Sequence, residues 1–153
     1  MTRRRAARFG AIQALYQAEL TGRQIEAVIL EFEQHRLADL LEPLEGRGPK
    51  PEVDRQWFAS LTRGAWRQAP ELDPMIGATL AEGWSLARAG YLLRAFLRAG
   101  AHELASKLDV PVSVVINEYV ELAHLFFDAS EPAFVNAVLD RVAPQLRPTA
   151  TVA

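Results

Sequence analysis

Four arginines, Arg3, Arg4, Arg5 and Arg8, lie at the amino terminus of the chain, before its first acidic residue, Glu19. On a helix, positions 4, 5 and 8 share one face. A guanidinium group donates paired hydrogen bonds to phosphate oxygens, so this face suits a polyanion such as RNA. The alternative is a solvated terminus with incidental charge. Cations at the start of a helix also oppose its dipole, and a bound polyanion would relieve that conflict.

The overall charge does not exclude a nucleic-acid partner. The 153-residue chain has a net charge of −2, with 17 basic and 19 acidic residues. Once the four amino-terminal arginines are set aside, the rest of the chain is clearly acidic. A local basic cluster neutralises phosphates whatever charge lies on the far side of the molecule, so the asymmetry matters more than the total.

The remaining candidates for chemistry are weak. His35, His102 and His124 are far apart and lack the spacing that places two ligands on one metal ion. There is no cysteine, which removes thiolate catalysis and cysteine zinc sites. Glu118 and Glu121 are three residues apart, as on any solvated helix face, and no nucleophile accompanies them. We therefore expect no metal, no cofactor and no enzymatic activity.

The periodicity of apolar residues is helical almost throughout, which predicts an all-α protein. Half of the residues are hydrophobic, enough for a buried core. Neither a signal peptide nor a membrane-spanning run is found, so we expect a soluble, cytoplasmic protein. Three prolines and two glycines at positions 42–51 predict an irregular loop of unknown role. The predicted helices cover about 3–20, 24–41, 52–68 and 85–107, with a short one after Pro70 and Pro74.

The segment from Asp109 to Asp140 predicts a helical hairpin. Asp109 and Pro111 form a helix start signal, and apolar residues then recur at three- and four-residue spacing on both arms. Asp128 and Glu131 fit a capping box at the turn between the arms. In the predicted helix before the hairpin, Gly90 and Gly100 are unfavourable in a helix interior, which suggests close contacts between helices there.

Particular letters add a family resemblance to this pattern. The hairpin reads V-x-x-x-I-N-E-x-V-E-L-A from Val112 and F-V-N-x-V-L-D from Phe134. The first helix reads R-R-A-A-R from Arg4 and Q-A-L-Y from Gln13, and L-R with H-E-L follows from Leu97. These motifs resemble the NusB family of bacterial transcription antitermination factors, and they cover essentially the whole chain.

The resemblance implies a fold, a function and partners. The fold would have about seven helices in two small perpendicular subdomains of one domain, about 1–70 and 71–147. The function would be to bind the boxA element of nascent transcripts in ribosomal RNA operons. NusE, which is ribosomal small-subunit protein ten, and the transcription elongation complex would be the partners. Members of the family can also self-associate, so a homodimer is a further expectation.

The resemblance also implies an RNA surface where the turn of the hairpin lies beside the arginine helix. The residues carried over to it are Arg4, Arg5, Arg8, Tyr16, Phe126, Ser130 and Phe134. Aromatic side chains there would stack on unpaired bases, although core packing is the competing role for Tyr16 and Phe134. Two departures from the family pattern are Ser130-Glu131 for the usual Asp-Ser and Leu93 for a common glutamate near the protein partner.

A second class of function stays open at this stage. The same helical pattern suits an interaction module that does not bind RNA, for instance a self-associating adaptor. If RNA is the ligand, replacing Arg4, Arg5 and Arg8 by alanine is expected to weaken binding while the fold stays intact.

Overall fold

A computed structural model describes residues 1–40, 52–81, 83–128 and 130–148. Within these ranges the chain is all-α, as predicted, and none of its helices is long and apolar enough to cross a membrane. The loop predicted at 42–51 lies outside the described residues. The described helices are α1 (Arg3–Thr21), α2 (Ile25–Glu31), α3 (Arg55–Ala78), α4 (Tyr91–Ser106), α5 (Val112–Phe126) and α6 (Ser130–Leu146), with a π-helical turn at Phe32–Arg36 and a 3-10 turn at Leu86–Ala89.

Helix α4 lies at the centre of the fold and packs against α1, α3, α5 and α6. Burying each of its large apolar side chains stabilises the fold by about 1.5–3 kcal/mol. Gly100 lets α4 approach α6, because a Cβ atom there would lie 2.8 Å from Cδ1 of Leu139. The expectation of a helix that is buried on most sides is therefore met. Its fully buried apolar side chains are Phe96, Leu97, Ala99, Ala101 and Leu104.

The predicted single helix over 85–107 is wrong in its first part. Gly90 has a φ of 84°, a left-handed conformation that favours glycine, and α4 begins only at Tyr91. Nothing lies within 4 Å of the position of a Cβ atom at Gly90. Gly90 therefore allows a change in chain direction before α4. It does not provide the close contact between helices that the sequence predicted.

Helix α3 runs through both prolines that were expected to end it. Pro70 and Pro74 are exposed, so the hydrogen bonds they cannot donate are lost at the surface, where water replaces them. Leu72 and Ile76 are buried on the opposite side. Core packing on that side outweighs the local preference of proline. The continuous helix also crosses the predicted subdomain boundary near residue 70, and that division stays a prediction.

The carboxyl end of α4 is held by Arg147, a residue that the sequence analysis passed over. Its guanidinium is buried and donates to the carbonyl oxygens of Leu104 (2.5 Å), Lys107 (2.7 Å) and Val110 (2.5 Å). The last carbonyl groups of a helix have no partner within the helix, so these bonds satisfy groups that burial would otherwise leave unpaired.

The hairpin predicted in the carboxyl-terminal third is present, with α5 and α6 packed against each other. The start of α5 differs from the expected signal. Pro111 immediately precedes the helix instead of lying in its first turn, and no side chain caps the first amides of α5. Helix α2 is shorter than predicted, because its backbone passes into the π-helical turn after Glu31.

Helices α3 and α4 approach each other closely at Gly64. The ring of His102 lies so close that a Cβ atom at Gly64 would be 2.1 Å from Nε2. Nδ1 of His102 is 2.6 Å from Oε1 of Gln68, which fixes the ring in place. Burial, with the charge of Lys107 as a smaller cause, lowers the pKa of His102 to about 4, so the ring is neutral at pH 7.

Gly64→Ala should destabilise the protein by about 1–3 kcal/mol, because the methyl group forces His102 and the two helices apart. Gly77→Ala is the matched control, since it lies in the same helix with nothing within 4 Å of its Cβ position. It should be neutral or stabilising by up to about 1 kcal/mol. Urea unfolding of both variants measures this; equal stabilities would contradict the contact.

Candidate nucleic-acid interface

Helix α1 presents its arginines from a capped amino terminus. The Thr2 hydroxyl accepts a hydrogen bond from the amide of Arg5 at 3.0 Å, and the Asp54 amide donates to the Arg3 carbonyl oxygen at 3.1 Å. The second bond ties the start of α1 to the residue that precedes α3. The chain is therefore fixed where its basic side chains begin, although the helix dipole opposes their charge.

Arg8 does not lie on the surface. Its side chain is 2% exposed and forms a bidentate ion pair with Glu103, which is fully buried in α4. Glu118 of α5 adds a second carboxylate, 3.7 Å from the Arg8 guanidinium. Burial opposes the charged form, but the Glu103 hydrogen bonds and the two negative charges outweigh it and raise the pKa of Arg8. Arg8 could reach a ligand only by breaking this pair.

The absence of local acids around the arginines, noted in the sequence, does not hold in three dimensions. Glu118 pairs with Arg5, whose side chain is 31% exposed, and Glu103 pairs with Arg8. Alanine at position 8 would leave Glu103 buried without its counter-charge. The expectation that all three arginines can be replaced while the fold stays intact is therefore corrected for Arg8.

Arg4 is the exposed cation of the cluster. Its guanidinium carbon lies 3.9 Å from the ring centroid of Trp57 on α3, a cation–π contact, and the residue is exposed to solvent. No carboxylate pairs with Arg4 in the described part of the chain. Arg3 is also exposed, and it lies 3.6 Å from Glu52 in a solvated pair that contributes little to stability.

Phe126 joins the turn of the hairpin to the arginine helix. Its ring centroid is 5.2 Å from that of Phe9 on α1 and 5.5 Å from that of Phe96 on α4. The half-buried Phe126 therefore stands next to the residue that follows Arg8. This arrangement places the end of α5 against α1. Tyr16 is half-buried against the core farther along α1.

Ser130 and Phe134 line a neighbouring cleft of about 360 Å³ at the start of α6. Trp84, which is 56% exposed, forms one wall, and its ring centroid lies 6.1 Å from that of Phe134. Leu93, the residue found where a glutamate is common, is nearly buried in the same wall. The other lining residues are Arg88, Ala89, Phe127 and Glu131.

The seven predicted site residues thus fall into four environments. Arg4 and Arg5 are accessible at the start of α1, whereas Arg8 is enclosed beneath them. Tyr16 and Phe126 are half-buried against the core. Ser130 and Phe134 belong to the adjacent cleft. The sequence analysis missed Trp57 and Trp84. For Trp84 a signal was available, because it is a large aromatic residue that stands between Gly83 and Ser85. No group of three potential metal ligands occurs among the residues that the structure describes.

Comparison with known proteins places this arrangement in a family. The model of the NusB family matches residues 5–144. A transcription antitermination protein NusB from Rhizobium rhizogenes is 46% identical over 144 residues, which are 94% of this chain and 88% of that protein. A similar protein from Sinorhizobium fredii is also 46% identical, with the same coverage of both chains.

Solved structures resemble the whole fold. NusB from T. maritima superposes with a TM-score of 0.76 at 25% identity, covering 100% of this chain and 99% of the other. A crystal structure of the antitermination factors NusB and NusE in complex with dsRNA gives a TM-score of 0.69 at 26% identity. That comparison covers 95% of this chain and 99% of the matched one.

Glu103→Gln should destabilise the protein by about 3 kcal/mol or more, because it leaves the Arg8 charge buried without its main partner. Combining it with Arg8→Met should recover most of the loss, since both charges are then gone. Urea unfolding measures the cycle, with Arg23→Gln, which breaks the surface pair with Glu31, as the control. A loss from Glu103→Gln no larger than that of the control would rule out a structural role for the pair.

Proposed function

Because this chain belongs to the NusB family, we propose that it is an antitermination factor that binds boxA RNA of nascent transcripts together with NusE. The observation that carries the RNA assignment is the exposed guanidinium of Arg4 over the ring of Trp57, with no carboxylate partner among the described residues and with the partly exposed Arg5 next to it in α1. Positive charge next to an aromatic ring is the combination that single-stranded RNA requires. The protein acts by assembly in the cytoplasm and carries out no catalysis.

Arg4 and Arg5 are the residues that contact phosphate in this proposal. Arg4 is free of carboxylates in the described residues, whereas Arg5 must exchange its Glu118 partner for a phosphate. Arg8 is a positioning residue, because its pair with Glu103 fixes α1 against α4 and so fixes where the other two guanidinium groups lie. The RNA surface proposed from the sequence is kept, with Arg8 beneath it instead of on it.

The aromatic residues supply stacking surfaces on either side of the turn. Phe126 extends the arginine face, while Ser130 and Phe134 offer a hydroxyl group and a ring in the neighbouring cleft. Tyr16 would extend the surface along α1. Base stacking on an aromatic side chain contributes about 1–3 kcal/mol per base. Glu131 also lines the cleft, and its negative charge repels phosphate groups. The RNA backbone is therefore not expected to contact the cleft at Glu131.

NusE binding would strengthen RNA binding through linkage, because the ternary complex shares contacts that neither binary complex has. The solved complex of a related NusB with NusE and dsRNA supports both classes of partner. The elongation complex would be the site of action. Self-association of this chain would compete with assembly if the dimer covered the arginine face.

Fluorescence anisotropy with a boxA RNA and a scrambled control, each with and without purified NusE, tests the function. We expect the boxA RNA to bind more tightly than the control and NusE to tighten it by about 5- to 150-fold, the usual range of coupling between two ligands. Equal binding of both RNAs with no effect of NusE would contradict the proposal. If sedimentation then showed a dimer whose sedimentation coefficient does not change when RNA is added, a self-associating helical adaptor would be favoured.

Arg4→Gln combined with Arg5→Gln should weaken RNA binding and lower the log–log salt slope by about 1.4, since each phosphate contact of a single strand contributes about 0.7. The charge-matched control is Arg23→Gln combined with Arg36→Gln, which removes both arginine partners of Glu31. Thermal unfolding should be nearly unchanged in both variants. An unaltered salt slope in the double variant would remove Arg4 and Arg5 from the interface.

A further inference from the structure

A second basic site lies between α3 and α4, outside the RNA surface proposed above. This α3/α4 cleft has a volume of about 380 Å³. Positions 60, 63, 64 and 67 share one face of α3, and the end of α4 supplies the facing wall. The polar groups around the opening are Ser60, Arg63, Arg67, Ser106 and Lys107.

The charge of this cleft is positive. Glu26 neutralises Arg63 through two hydrogen bonds of 2.5 and 2.9 Å and lies 3.6 Å from Arg67, whose side chain is 68% exposed. Lys107 has no carboxylate partner in the described ranges. His102 forms part of the lining and adds no charge near neutral pH. Three cations therefore face Glu26, with Glu33 as a second and weaker negative charge near Arg63.

The Lys107 ammonium is held in position before any ligand arrives. Its Nζ donates to Oγ of Ser60 at 2.7 Å and lies 4.8 Å from the ring centroid of Trp57. The backbone of Lys107 is also fixed, because its carbonyl oxygen accepts from the buried Arg147. A flexible lysine loses side-chain entropy on binding an anion, and much of that loss has already occurred here.

Trp57 connects the cleft to the arginine face. Arg4 lies 3.9 Å from the ring centroid of Trp57, and Lys107 contacts the same ring. The two cations are therefore neighbours across one side chain. A strand of RNA bound at Arg4 has a continuous basic path along α3 towards Arg67.

We propose that the α3/α4 cleft binds a phosphodiester group of the same RNA strand, beyond the nucleotides held at Arg4 and Arg5. This inference rests on the proposed function and extends its interface to a second face of the molecule. Lys107 and Arg67 make the phosphate contacts, Ser60 orients the Lys107 ammonium, and Arg63 stays with Glu26. The path reads no bases, because its charged groups recognise the backbone alone.

The test compares a core boxA RNA with the same RNA extended by about ten nucleotides at each end, in 50 and 200 mM salt. Arg67→Gln/Lys107→Gln should leave core binding within about twofold and remove the gain from the extensions. Two lost phosphate contacts lower the log–log salt slope by about 1.4. The affinity of the variant should therefore fall about sevenfold less than that of the wild type when salt is raised from 50 to 200 mM. The charge-matched control is Arg23→Gln/Arg36→Gln, whose arginines both pair with Glu31 outside the cleft.

Unchanged binding of the extended RNA, or an equal loss in the control variant, would overturn the proposal, and so would wild-type protein that gains nothing from the extensions. If Lys107→Gln lowers the melting temperature, the single variant Arg67→Gln replaces the double variant in the test, because Arg67 is exposed. The two proposals fail differently. Loss of preference for boxA over a scrambled core contradicts the function, whereas loss of dependence on Lys107 contradicts only the cleft.

Discussion

The buried ion pair between Arg8 and Glu103 fixes the relation between α1 and the central helix, and the presentation of the basic face depends on it. Both side chains are almost fully enclosed, so forming the pair costs several kcal/mol of desolvation for each charge. Bidentate hydrogen bonding offsets that cost only when the two helices lie in one register. The pair therefore favours specificity of packing over net stability, and removing one partner is far worse than removing both.

This arrangement divides arginines of similar sequence context between two tasks. Arg8 is used to fasten α1, which leaves Arg4 to face solvent over Trp57. Arg5 stands between these extremes, because Glu118 holds it until a stronger anion competes. Such competition lowers affinity for any polyanion, and only ligands that also use the neighbouring aromatic side chains recover the loss. Partial self-neutralisation therefore acts against non-specific binding.

The helical class, the first helix and the α5–α6 hairpin were readable from sequence because they rest on local periodicity and on family motifs. The break at Gly90 was not, since its neighbours are good helix formers and only the backbone angle reveals it. The passage of α3 through Pro70 and Pro74 depends on burial of the opposite face. The partner of Arg8 lies 95 residues away in the chain, so no spacing rule could have found it. Trp57 was missed for the same reason, because the cations that contact its ring, Arg4 and Lys107, are distant from it in the chain.

The central claim is that Arg8 positions the interface from beneath while Arg4 contacts the RNA. Side-chain Nε–H signals of arginine, observed by NMR during a titration with boxA RNA, test this directly. The Arg8 signal should exchange slowly with solvent in the free protein and stay protected and nearly unshifted on binding, whereas the Arg4 signal should shift and become protected. A fast-exchanging Arg8 signal in the free protein, or contacts between Arg8 and RNA in the complex, would contradict the account.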